Sequence, residues 1–196
     1  MHICRSQAMV VIGAVLLAPA LWAADTHTPS SFDTEKSVMT VKVFKSGFFS
    51  VFGHEHEVSA PIREGWFRVD EPAVGLAVDA RQLRVLDKDV SDKDRAEIQE
   101  TMSGSKVLDS QQFPEIRFRS TRVDRLGDGK WMVLGDLTLH GQSRPIKVAV
   151  EGENGHYHGS AEVRQRDFGI TPVTVAGGAV KVKDEVRVEF QIVGKP

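Results

Sequence analysis

From Ser37 onward the chain alternates apolar and polar residues with a period of two, and it does so again and again almost to the C-terminus. Met39, Val41 and Val43 fall on one face of the first such run, with Thr40, Lys42 and Phe44 on the other. Ile116 and Phe118 alternate with Arg117 and Arg119, Leu137 and Leu139 with Thr138 and His140, and Ile146, Val148 and Val150 with Lys147, Ala149 and Glu151. Val180 and Val182 alternate with Lys181 and Lys183, and the last run sets Val186, Val188, Phe190 and Ile192 against Glu185, Arg187, Glu189 and Gln191. Successive side chains of an extended strand point to opposite faces, so each run predicts a strand with one buried and one wetted face. Further strands are predicted over Ile62 to Asp70 and Val74 to Ala80, with Glu71-Pro72 as the turn between them. Gly127-Asp128-Gly129 and Gly152-Glu153-Asn154-Gly155 supply residues that tolerate positive φ, as hairpins require.

At least seven or eight one-sided strands cannot lie open in water without leaving an exposed sheet edge. The fold class is therefore all-β, and an antiparallel barrel of about eight strands or a two-sheet sandwich both satisfy the pattern. One short helix interrupts it mid-chain. Ser91 is its predicted N-cap, Asp94 holds the capping-box position, Ile98 and Met102 share a face, and Gly104 ends it.

Upstream of the strands, Arg5, the apolar run Ala8 to Leu17 and the small residues from Pro19 to Ala24 read as a cleaved export signal over residues 1–24. The run is shorter than the roughly 20 residues a membrane span needs. Residues 25–36 are polar and read as a leader, with the domain occupying residues 37–196. The single cysteine, Cys4, departs with the signal, so the hydrophobic core must hold the mature chain without disulfides. Removing the signal deletes Arg5 and no acidic residue, which moves the formal charge from −2 to −3. That balance gives no footprint for nucleic acid.

The stretch from Lys45 to Val58 packs Phe48, Phe49 and Phe52 beside His54-Glu55-His56. Two strand residues two apart share a face, so His54 and His56 would project together and could hold a metal ion or an anionic group. A metal centre needs a third ligand, for which His140, at a strand end before Gly141, is the candidate; such a site would be metal-binding or, with Glu55 or Glu57 as base, a metal-dependent enzyme. No Gly-rich phosphate loop, nucleophile elbow or His-Glu-x-x-His helix occurs, and the mature chain has no thiol nucleophile.

Phe113-Pro-Glu-Ile116-Arg-Phe118-Arg-Ser120, Gly135-Asp-Leu-Thr-Leu-His140-Gly141 with Pro145, Asp167-Phe-Gly-Ile170 and the closing Val-rich strand from Val180 together resemble the YceI-like proteins. The Gly53-His-Glu-His-Glu57 segment is similar to one subgroup, and Gln165 stands where many members carry an arginine. The resemblance implies a lipocalin-like barrel, exported to the periplasm, that binds a polyisoprenoid or other long-chain lipid without catalysis or cofactor and without stable membrane insertion. The apolar strand faces make Val41, Val43, Phe48, Phe52, Ile116, Phe118, Leu137, Leu139, Val148, Val188 and Phe190 the expected interior lining for such a ligand, with His54, His56, His140 and Asp167 at a polar mouth. A solid core with a structural or interaction role would present the same residues. Sequence assigns no oligomeric state.

Overall fold

The computed structural model describes residues 29–46, 55–175 and 180–195. The export signal, the first residues of the leader, Phe48, Phe52 and His54 lie outside these. One antiparallel sheet accounts for nearly all of the architecture. Its eight long strands are β2 (Val38–Ser46), β4 (Ile62–Arg68), β5 (Ala73–Asp79), β7 (Glu115–Gly127), β8 (Lys130–Leu139), β9 (Gln142–Glu153), β10 (His156–Arg164) and β12 (Val180–Val193). Four short pieces complete it: β1 (Ser30–Ser31), β3 (His56–Ser59), β6 (Arg84–Val85) and β11 (Thr174–Val175). The count of about eight read from the alternation matches the number of long strands among the described residues. The short ones escape because two to four residues hold too little alternation to register as strands.

The sheet runs β1-β4-β5-β7-β8-β9-β10-β12-β2-β3-β6, with β11 on β12. β4-β5, β7-β8, β8-β9 and β9-β10 are hairpin partners, and the C-terminal strand returns beside β2, where Val188 pairs with Val41 and Phe190 with Met39. Curling brings the two flanks toward each other. Residues 30–33 then tie β4 to the end of β12. Phe32 N–H donates to Gly65 O at 2.8 Å, Asp33 N–H to Val193 O at 2.7 Å and Lys195 N–H to Ser31 O at 2.8 Å. Phe32 itself is buried. The segment read as the end of a polar leader is therefore part of the fold. Its ties are made by backbone groups and one aromatic ring, and side-chain alternation carries no trace of them. Gly65 makes room for that ring, because a Cβ there would come within 2.1 Å of it.

Turn chemistry fixes the hairpins. His140-Gly141 and Asn154-Gly155 both adopt positive φ at each central residue, the twist that joins two right-twisted strands through a two-residue loop. The two alternating runs at the C-terminus form one strand, β12, whose pairing with β2 slips between Val182 and Val186; that irregularity splits the pattern in sequence but not the strand.

Helix α1 (Asp92–Ser103) lies where the sequence places it. Ser91 Oγ accepts from Asp94 N–H at 3.1 Å, and Gly104 ends the helix in an extended conformation rather than the left-handed one. None of its residues is fully buried, and Ile98 and Met102 rest on the core. With Leu83, Val107 and Leu108 it forms one end of the barrel, the helix end. The opposite end carries the turns between β4 and β5, β7 and β8, and β9 and β10, together with the 30–33 tie.

Candidate functional site

The inward faces of the strands do not fill the space between them. They enclose a cavity of about 330 Å³ that runs from the helix end to the turn end. Its wall is almost wholly hydrocarbon: of the described residues that line it only Arg68, Trp131, Tyr157 and Gln165 carry polar side-chain atoms. Val41, Val43, Ile116, Phe118, Leu137, Leu139, Val148, Val188 and Phe190 all stand on this wall, so the structure brings together every described member of the lining read from the alternation. The reason is register. Val188 pairs with both Val41 and Ala161, Ala161 with Val148, and Val148 with Val133, which sets one inward row across five strands.

The two ends differ. At the helix end the cavity meets Leu83 and Leu108, both buried, along with Met102 and Val107. At the turn end it meets Arg68, Val69 and Pro72, and Val69 is 67% exposed. Just inside that end three rings meet edge to face: Tyr157 lies 5.4 Å from Phe67 and 5.8 Å from Trp131 between centroids. These three wall residues were missed in sequence, although Tyr157 had a signal, since alternation puts it on the face opposite the exposed His156 and His158.

The polar residues expected at a mouth are engaged elsewhere, and none of the three that are described lines the cavity. His56 Nδ1–H donates to Asp87 Oδ2 at 2.5 Å, and Asp87 Oδ1 accepts from Glu57 N–H at 2.8 Å. His140 Nδ1–H donates to Phe168 O at 3.1 Å and its ring meets Phe113 edge to face at 4.6 Å. Asp167 is exposed in the 3-10 turn Gln165–Phe168, which buries Phe168. Among the described residues no group of three or more His, Cys, Asp or Glu side chains could hold a metal ion. Gln165 is buried and donates from Nε2 to Lys183 O at 2.8 Å. Lys45 shares the inward face of β2 with Val41 and Val43 but lies beyond the cavity wall; burial lowers its ammonium pKa, against a raising influence from Asp87. Among the described residues no helix is long and apolar enough to cross a membrane.

Known proteins match this arrangement along most of its length. A UPF0312 protein of Vibrio vulnificus is 27% identical over 195 residues, covering 93% of this chain and 97% of that one. A UPF0312 protein of Vibrio cholerae is 31% identical over 127 residues, covering 60% and 61%. Among solved structures, BcnA of Burkholderia cenocepacia superposes with a TM-score of 0.62 at 18% identity, covering 84% of this chain and 99% of that one. A YCEI protein of Campylobacter jejuni does so with a TM-score of 0.53 at 12% identity, covering 71% and 81%. At these identities the two structures speak for the fold alone. The YceI-like domain model matches residues 30–194, beginning at the strand that ties the barrel shut, and the chain belongs to that family.

Proposed function

We propose that this is an exported, periplasmic binding protein that carries or sequesters a long apolar lipid of isoprenoid type inside the barrel. The observation that carries the reading is the cavity itself, about 330 Å³ bounded almost entirely by aliphatic and aromatic side chains. Its size falls within the roughly 300–1,000 Å³ typical of small-molecule sites. A hydrocarbon moved from water into such a space gains roughly 0.8 kcal/mol for each buried CH₂. Among the described residues the wall carries no histidine, cysteine, serine, threonine, lysine or carboxylate, and Tyr157 is its one hydroxyl. The work of this site is holding and releasing, not bond making.

The test is to purify the tag-free protein from the periplasm of its expression host, extract it with organic solvent and analyse the extract by mass spectrometry. A long-chain apolar molecule should co-purify in near-stoichiometric amount, and protein stripped of it should take up geranylgeraniol. A lipid-free extract together with no uptake would overturn the reading.

A further inference from the structure

We propose that the ligand is an amphiphile with an anionic head, a carboxylate or a phosphate, and that Arg68 at the turn end anchors this head while the chain runs inward toward α1. The inference rests on the carrier reading above and adds the ligand's polarity and direction.

Three observations converge on that end. The first is access. Val69 lines the cavity and is 67% exposed, whereas Leu83 and Leu108, which line its helix end, are buried, so solvent reaches the cavity wall beside the β4–β5 turn. The second is an orphaned donor. Among the described residues the one buried side-chain nitrogen or oxygen without a hydrogen-bond partner is Arg68 Nε, and Arg68 is on the cavity wall. A buried donor without an acceptor is costly, and native proteins rarely leave one without a partner or a use. The third is what the rest of the guanidinium does. Its Nη1 reaches Glu71 Oε2 at a long 3.4 Å and its Cζ lies 5.9 Å from the Trp66 ring centroid, contacts that hold the group in place and leave Nε–H open. A positive charge with a buried, unpartnered Nε–H, set in an apolar wall at the exposed turn, suits an anionic oxygen; a neutral alcohol would gain the hydrogen bond without the charge.

Oleate and oleyl alcohol, which share a chain and differ in the head, test this by displacement of the neutral fluorophore N-phenyl-1-naphthylamine from the purified protein. In Arg68→Gln oleate affinity should fall about tenfold or more while oleyl alcohol stays within about twofold. Retained alcohol binding shows that the variant is folded and its cavity intact. Lys45→Met, which removes the half-buried cation near the helix end, should leave both affinities unchanged. Equal weakening of both ligands by Arg68→Gln, no change in either, or an oleate loss in Lys45→Met matching that in Arg68→Gln would overturn the anchor while leaving the carrier reading standing. If the unaltered protein bound neither ligand, the anchor would fall, and the carrier reading would be judged separately by its uptake of geranylgeraniol.

Discussion

Asp79 shows how much a single residue can be tuned at the rim of this barrel. Its carboxylate accepts from Arg81 Nε at 2.8 Å, from Arg81 Nη2 at 2.7 Å and from the Arg81 backbone N–H at 3.0 Å. The guanidinium bonds foremost, and the backbone N–H next, lower its pKa from 3.8 to about 2. A folded-state value below the unfolded one means that the contribution is complete above pH 3.8 and is lost as pH falls through about 2. Arg81→Gln should therefore move the Asp79 carboxyl titration part of the way back toward 3.8, the backbone N–H still holding it down, as a carbon-detected NMR titration would read. A midpoint unmoved by the substitution would assign the shift to another cause. Two strand residues two apart share a face whatever the fold, so the inward direction of Val41 and Val43 was legible in the sequence. The partner of His56 was not: Asp87 lies 31 residues away, and only the β3–β6 pairing brings the two together. Arg68 was equally silent, since an arginine at a strand end looks solvated until the wall behind it is seen.

At the scale of elements, the helix was readable to the residue at its N-cap, while its purpose was not. β6 is the last strand of the sheet, and its outer edge would otherwise leave backbone groups unpaired. Gln99 of α1 supplies what a further strand would have: Val85 N–H donates to its Oε1 at 2.9 Å, and its Nε2 donates to Leu83 O at 3.0 Å. A side-chain amide has the donor and acceptor of a peptide, so one glutamine ends the sheet without inviting another chain to pair with it. Gln99→Ala should cost about 1–3 kcal/mol, the range for orphaning buried hydrogen-bonding groups. The loss should appear in chemical denaturation and, locally, as faster hydrogen exchange at the Val85 amide. Unchanged exchange there would mean that water or another group satisfies the edge equally well. Helical periodicity singled out Ile98 and Met102, which do rest on the core. It is blind to a polar residue whose role depends on a strand edge far off in the sheet.

The whole molecule is a sheet that closes around space instead of filling it, and that choice cannot be seen one strand at a time. A cavity wall and a close-packed core are both made of inward valines, leucines and phenylalanines; what separates them is the distance across the barrel, which follows from strand number, stagger and closure. Closure here depends on residues 30–33, whose ties run through the backbone. If the space is there to be occupied, occupying it must couple to stability. Ligand at a hundred times its Kd adds about 2.7 kcal/mol to a protein that binds it only when folded, a rise in melting temperature of about 5–10 °C for a domain of this size. Ala161 lines the cavity, is 7% exposed and pairs with Val148 and Val188 on either side, so a larger side chain there projects into the void. Ala161→Phe should fill part of the cavity at an overpacking cost of about 1–3 kcal/mol and should abolish the oleyl alcohol shift while the far-ultraviolet circular dichroism stays that of a β protein. A variant that folds and still gains the full ligand-dependent shift would mean that the chain binds outside the barrel, and the interior would then be unused space left by the curvature of the sheet.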